Sequence, residues 1–429
     1  MRSRVARLKH CSTIAGRIGW HGLSTSDYLD YGDYLITGTE IANGGIEWGK
    51  CHRVEEKIYD QDPHIQLSEG DVLVTKDGTI GKVARIGTLP GRSTLNSGIF
   101  RIIPHRDQLK SGYLYWVLSS RVFFDFVDLL SSGSTIEHLY QRDIINLLIP
   151  MPDLNSQGAI ADYLDRETAR IDSLIEKKRQ MAELLNERRQ VVITEAVTGK
   201  LDIPGSPKRH GKMKDSGIEW IGEIPEGWKV VRLKRISPRI STGGTPLSEK
   251  HDDDLLPLAE NTVFTDWFTP SDFGSNIMLE PAFKKLDNPT IQFPSQSILV
   301  VCIGATLGKV GLIKTPSSSN QQINAIEPSP DVNAQFLAHY LASITSVLKM
   351  LSLASTLSIL NQERLGAVVM PFPPLPEQQV IVDYLDRETV RIDALVEKID
   401  SQIGLLSEKR QALITAAVTG ELDIAEMIS

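Results

Sequence analysis

The sequence predicts a mixed α/β (α+β) protein made of two copies of one unit. Two heads are joined by two long antiparallel coiled-coil helices, and the copies are related by pseudo-two-fold symmetry. Three observations carry that reading. The stretch from Ile160 to Ile203 returns almost unchanged from Ile381 to Ile424, at one constant offset and without a gap. Each copy sets apolar residues at helical spacing against a charged opposite face. The segments before the copies share a fainter frame of short β-branched runs punctuated by Gly and Pro, the pattern of a twisted sheet with helices laid on it.

The repeated stretches are the helices. Leu164, Ile171, Leu174, Met181, Leu185 and Val192 form one stripe, and Leu385, Ile392, Leu395, Ile399, Leu406 and Leu413 form the other. Asn155-Ser156-Gln157 offers a cap to the first helix, and Pro376-Glu377-Gln378 places proline and an acid in the first turn of the second. Thr198-Gly199 and Thr419-Gly420 supply the stops. Roughly 40 helical residues at about 1.5 Å each make a rod of about 60 Å. Matching stripes pack most simply on each other as a coiled-coil pair; the alternative is that each helix packs on its own head. Lys178 within the first stripe and Lys409 near the second leave the seam imperfect, with room for another subunit.

Connectivity sets the direction. The first helix leaves its head, a Pro/Gly/Lys-rich linker from Pro204 to Lys214 follows, and the second head begins at the far end. Its own helix then runs back. The expected divisions are 1–155 for the first head, 156–203 for its helix, 204–221 for the linker, 222–375 for the second head and 376–429 for the second helix.

The heads are themselves faint copies. Asp71–Val74 with Gly78–Val83 parallels Ser297–Val300 with Gly304–Val310, and Asn96 before Ile102 parallels Asn320 before Ile326. Ser134-Thr135, Leu139 and Gln141 parallel Ser355-Thr356, Leu360 and Gln362, at the same offset as the helices. A helix is expected over Ser111–Leu130 and another over Asn333–Leu353. The frame is kept while the filling differs, which suits a reader of two different half-messages.

At 429 residues, two or three domains are expected. Hydrophobic residues at 41% and charged residues at 23% are ordinary for a soluble globular protein. No run of about 18 apolar residues is present to span a membrane, and the basic N-terminus lacks an apolar signal core. Cys11, Cys51 and Cys302 are scattered and odd in number, which argues against a disulfide framework or a zinc site and for a reducing cytoplasm. The net charge of −8 sits wholly in the repeated segments, −2 in 153–203 and −6 in 377–429. The heads are neutral on average, with 17 basic and 17 acidic residues in 1–152 and 16 of each in 204–376. Each can therefore gather its Lys and Arg on one face, and the acidic total does not exclude DNA.

No catalytic centre is legible. Asp62-Pro63-His64 and Asn288-Pro289-Thr290 lack the Pro-Pro-aromatic continuation that holds a flipped adenine for methylation. Gly44 through Lys50 imitates a phosphate loop, but Cys51 stands where a hydroxyl must hold magnesium, so a polar hairpin turn is the better reading. The Gly78–Lys82 and Gly304–Lys309 loops miss that spacing too. Asp252-Asp-Asp254 reads as an exposed polar loop rather than a cation site, and His10, His64 and His339 show no ligand spacing.

The duplicated IADYLDRET and IVDYLDRET helices with their AVTG-x-LDI ends, the DSGIEWIGEIPEGW lead-in from Asp215 to Trp228, and the proline-rich junction Pro371–Gln378 carry a resemblance over nearly the whole chain. It resembles the specificity (S) subunit of type I restriction–modification enzymes. The resemblance implies two target-recognition domains, each reading one half of a split, asymmetric site in double-stranded DNA while partner subunits flip and methylate the base. It implies that the helices act as spacer and as dock for two methyltransferase (M) subunits, which recruit two motor–nuclease (R) subunits. This chain is then not an enzyme and carries no cofactor; S-adenosylmethionine, ATP and magnesium belong to the partners. The first head lacks the lead-in, so its start is expected to be late, through truncation or a misassigned start codon.

Reading DNA needs Lys and Arg on phosphates for register, and Asn, Gln or Arg on base edges for identity. The candidates are Lys76, Thr79, Lys82 and Arg85 on the first glycine loop, Lys309 on the second, and Asn96, Asn320, Gln321 and Gln322 on loops after Ser/Thr runs. Tyr140, Gln141 and Arg142 match Asn361, Gln362 and Glu363 on a loop before the last strand. Each is equally readable as a solvated loop residue. Two other classes of function stay open: a self-contained DNA-modifying enzyme with an unrecognised active site, and a helical adaptor with no nucleic-acid role.

Overall fold

Val72, Leu73 and Val74 show how a head is built: the first and third pack under helices, while the second faces the other way into a separate core. A strand buried on both faces needs an unbroken apolar run, with successive residues serving opposite sides. The computed structural model describes the chain except residues 1–3, 18–22, 24, 131–137, 207–211, 246–263, 275, 288, 290, 354–358, 424–426 and 428–429. Ser134-Thr135, Ser355-Thr356, Asp252–Asp254, Asn288, Thr290 and part of the linker lie outside the described residues. The chain divides into two compact units, Met1–Gln180 with Ile399–Ser429, and Met181–Lys398.

In the first unit, β1 (Ser12–Gly16), β2 (Val72–Thr75), β3 (Val83–Arg85) and β4 (Ile99–Pro104) form an antiparallel sheet of order β1-β4-β2-β3. Helices α1 (Ser111–Leu118) and α2 (Arg121–Leu130) cover one face through Tyr113, Leu114, Val117 and Phe123. The other face meets a core that includes Ile36 and Leu95, which belong to a second sheet in which Tyr34–Ile36 runs parallel to Ser93–Leu95. A short helix α3 (Gln141–Ile144) precedes the long α4 (Leu154–Thr198).

The second unit repeats the plan. Strands β5 (Arg239–Thr242), β6 (Ile298–Val301), β7 (Val310–Leu312) and β8 (Ile323–Glu327) take the order β5-β8-β6-β7. Ile298 and Val300 face helix α5 (Ala334–Ser343), while Leu299 and Val301 face the opposite core. Helix α6 (Thr345–Leu353), the short α7 (Gln362–Ala367) and the long α8 (Leu375–Thr419) follow.

Each single helix expected over 111–130 and 333–353 is thus two. Ser119 and Ser120 donate their hydroxyls to the carbonyls of Tyr115 and Val117, and Ser343 donates to Tyr340. Such bonds compete with helical continuation for the same acceptors. The cap of α4 lies two residues earlier than the expected Asn155: the Asp153 carboxylate accepts from the amides of Asn155 and Ser156 at 3.0 Å each and from the Ser156 hydroxyl at 2.7 Å.

The long helices, 45 residues each, enter both cores at repeat-equivalent positions. In the first unit Ile160, Ala161 and Leu164 from α4 join Ile414, Ala417 and Val418 from α8. In the second unit Ile381, Val382 and Leu385 from α8 join Ile193, Ala196 and Val197 from α4. The latch is repeated as well. Buried Gln157 accepts from the Lys110 amide at 2.9 Å and donates to the carbonyls of Gln108 and Pro152. Gln378 does the same with Asn333, Asp331 and Pro373.

Between these ends, the Arg410 guanidinium donates to both carboxylate oxygens of Asp172 and Lys178 donates to Gln402 within the first unit. Arg189 pairs with Asp393 within the second. The apolar stripe differs from the one expected. Leu174, Met181 and Leu395 are exposed, and Ile175 and Ala182 are buried in their stead: the seven-residue spacing is kept through Thr168, Ile175 and Ala182, but the row beside Leu164 and Ile171 lies four residues on rather than three.

One matched position differs in chemistry. Trp116 on α1 donates to Asp165 at 2.8 Å, whereas α5 carries His339, 3% exposed, with neither ring nitrogen hydrogen-bonded among the described residues. Burial, then the charge of Arg189, pushes this imidazole down to about 4. Folding therefore favours the neutral ring, and its contribution is complete above about pH 6.5. Stability is lost as pH falls from there towards 4, where the unfolded chain takes up the proton first. Urea midpoints measured at pH 7 and 4.5 should fall further for the wild type than for His339→Leu, by on the order of 2–3 kcal/mol of second-unit stability. Parallel profiles would exclude this histidine as an acid-sensitive element.

Candidate nucleic-acid interface

Where β2 ends, the Thr75 hydroxyl donates to the Thr79 carbonyl at 2.6 Å and accepts from the Lys82 amide at 2.9 Å. Those bonds fold residues 76–82 into a loop whose turns need Gly78 and Gly81 at positive φ. Thr79 is exposed at its tip. Lys76 lies over the Phe100 ring at 5.1 Å. The Lys82 ammonium donates to the Gly38 carbonyl at 3.0 Å. Lys309 on the second head does likewise with Phe273 at 2.7 Å, so these two lysines brace neighbouring loops.

A second segment is stitched to each loop. The Leu139 amide donates to the Lys76 carbonyl at 2.8 Å, and His138 meets the Asp77 carboxylate. This brings Lys76 and Thr79 onto one surface with Tyr140, Gln141 and Arg142. Tyr140 is 50% exposed and the Arg142 guanidinium stacks on its ring at 4.6 Å. Gln141 donates to the Ile14 carbonyl. The second head is stitched in the same place: the Leu360 amide donates to the Cys302 carbonyl at 3.0 Å.

Asn96 and Asn320 occupy equivalent strand ends, their amides donating to Ile36 and Phe268. Asn96 also donates its side chain to the Tyr28 hydroxyl, whereas Asn320 donates to Gln322. In the second head a cleft of about 380 Å³ gathers Gln321, Asn361 and Gln362 around Thr242 and Asn324. Gln362 donates to the Thr242 hydroxyl at 2.8 Å, and Gln321 accepts from Thr245. Asn361 caps α7 by accepting from the Arg364 amide. Cys302 lines the same cleft, its thiol pushed up to about 12 by burial, which keeps it from acting as a thiolate nucleophile at neutral pH.

Arg85 stands apart from this group. Its guanidinium pairs with Asp165 on α4 at 3.1 Å and passes so close to Gly112 that a Cβ there would lie 2.6 Å from it. Sequence reasoning missed Thr242, Asp77 and His138, whose partners stand 120 and 61 residues away.

Among the described residues, no three His, Cys, Asp or Glu side chains gather as a metal site, and no helix is long and apolar enough to cross a membrane. Two heads of one plan, each presenting a stitched pair of loops with different side chains, define a modular recognition protein. The chain matches the type I restriction modification DNA specificity domain over residues 21–184 and 225–404, and it belongs to that family.

It is 23% identical over 323 residues to the EcoDI type I restriction enzyme specificity subunit of Escherichia coli, covering 73% of this chain and 70% of that one. It is also 23% identical over 414 residues to the putative MjaX specificity subunit of Methanocaldococcus jannaschii, covering 94% and 91%. A solved chain from work on complex assembly and conformational transition of the type I R-M system superposes with a TM-score of 0.69 at 20% identity, over 98% of both chains. The HsdS subunit from Thermoanaerobacter tengcongensis superposes with a TM-score of 0.54 at 18% identity, over 98% and 97%. These superpositions speak for the fold.

Proposed function

We propose that this chain is the sequence-reading, non-catalytic subunit of a type I restriction–modification complex, each head reading one half of a bipartite, asymmetric target in double-stranded DNA. One observation carries the reading. The two units share core positions at the offset of the repeat, while their stitched loops carry different chemistry: Tyr140-Gln141-Arg142 in one, Asn361-Gln362-Glu363 in the other. A common frame with unlike surfaces reads unlike sequences. On this proposal 1–155 and 222–375 are the target-recognition domains, 204–221 is the linker, and 156–203 and 376–429 are spacer helices. The spacers would pair antiparallel as a coiled coil and dock two methyltransferase subunits. Those subunits bind S-adenosylmethionine and engage two motor–nuclease subunits that use ATP and magnesium. The contacts Asp172–Arg410 and Asp393–Arg189, one inside each unit, support the antiparallel sense.

Within the first head, Arg142 is the exposed cation suited to a phosphate, and Arg85 belongs to the junction with α4. Arg142→Ala should reduce the slope of log affinity against log salt by about 1, and Arg85→Ala should leave it unchanged; the reverse pattern would reassign the two. Spacer length is the broader test. Inserting seven residues into both long helices, after Gln180 and after Lys398, adds about 10 Å, or roughly three base pairs. Methylome sequencing should then report the same half-sites with a longer gap. An unchanged gap rules out a ruler, and methyl transfer by the isolated chain would favour a self-contained enzyme instead.

A further inference from the structure

Phe283 is 100% exposed, although Phe is a residue that folding normally buries. A lone exposed apolar side chain needs no explanation, but the surroundings of this one do. It directly precedes Lys284 and Lys285, both exposed. The Lys284 ammonium lies 4.9 Å from the Trp267 ring centroid, and Lys285 sits 3.8 Å from the Asp266 carboxylate. An aromatic ring in water beside two cations matches what a nucleic acid offers, stacked bases flanked by phosphates.

Strand register gives the location. Lys285 pairs with Asp266, and the Trp267 amide donates to the Lys284 carbonyl at 2.9 Å, so Phe283 falls opposite Phe268. Phe268 in turn runs beside Ser319 in parallel register, and its carbonyl accepts the amide of Asn320. Phe283 and the Asn320–Gln322 turn therefore share one end of a three-stranded sheet, two strands apart, or roughly 10 Å. The first head places no ring at the equivalent position. There Leu35 pairs with His52, which sets the half-buried Cys51 at the equivalent place.

We propose that Phe283 is a stacking wedge of the second head. Its ring enters a base step of the half-site that this head reads, and Lys284 and Lys285 meet the phosphates on either side. Steps that unstack at least cost, pyrimidine followed by purine, are then favoured at that point. The inference rests on the DNA-reading function and adds a deformation device that only one half-site experiences.

The test uses the complete modification complex and duplexes carrying 2-aminopurine at successive positions of both half-sites. Wild-type complex should raise the fluorescence at one step in one half only. Phe283→Ala should abolish that rise and weaken binding roughly 5- to 150-fold, the loss of one stacked base, and Phe283→Trp should restore both. The exposed ring makes Phe283→Ala neutral for folding, so an unchanged melting temperature separates loss of stacking from loss of structure. Retention of the fluorescence rise and the affinity in Phe283→Ala overturns the proposal. So does a Phe283→Ala chain that fails to bind the methyltransferase subunit, since the ring would then be a protein contact. A wild-type complex with no sequence preference at either half-site would instead sink the DNA-reading function beneath it.

Discussion

The two ends of each long helix have to be buried, and each head supplies cover for one end of each. Ile160, Ala161 and Leu164 fill the first core together with Ile414, Ala417 and Val418, and their repeat counterparts do the same in the second. Neither head has a complete core without both long helices, and the first draws one of them from the far part of the chain, whereas the second unit is the continuous stretch Met181–Lys398. The first head, assembled from the earliest residues, is closed by some of the last, which makes its defining contacts non-local and late. Gln157 and Gln378 hold this arrangement in angle as well as in depth. Each is buried and satisfies backbone groups that would otherwise be stranded at the head–helix junction.

That constraint explains why the frame is the same in both units and why the stitched loops are free to differ. Residues that touch the long helices are bound by the shared junction. Residues at the opposite end of β2 and β6 are held within their own heads, by stitches such as Leu139 to Lys76 and Leu360 to Cys302. Arg85, at the junction end of β3, is spent on Asp165. The lysines Lys82 and Lys309 sit between these regimes. They keep their charge near the stitched loops while bracing a neighbouring carbonyl, so replacing them would disturb loop position as well as potential.

Much of this was legible in the residues. The repeat located both long helices to within a few positions, and Gly199 and Gly420 end them at positive φ as their place after Thr198 and Thr419 implies. The parallel glycine loops fell where the heads are stitched. What failed did so for physical reasons. The expected stripe placed Leu174 and Leu395 inside, three residues after Ile171 and Ile392, but the buried companions lie four residues after the main row, at Thr168, Ile175 and Thr389. Ser119, Ser120 and Ser343 look harmless within a helical pattern, yet their hydroxyls end it. Phe283 passed unnoticed because a single aromatic residue between Ala282 and Lys284 carries no periodic signal, and only the folded sheet shows that it stands in water.

Hydrogen exchange of a chain truncated after Gln411 tests the central claim most directly. The account predicts that loss of Ile414, Ala417 and Val418 strips protection from the first head, in Ser12–Gly16, Val72–Thr75 and Ile99–Leu118, although these segments lie at the other end of the sequence. Ile298–Val301 and Ile323–Ser343 of the second head should stay protected. Loss of protection in the second head with the first intact would contradict it.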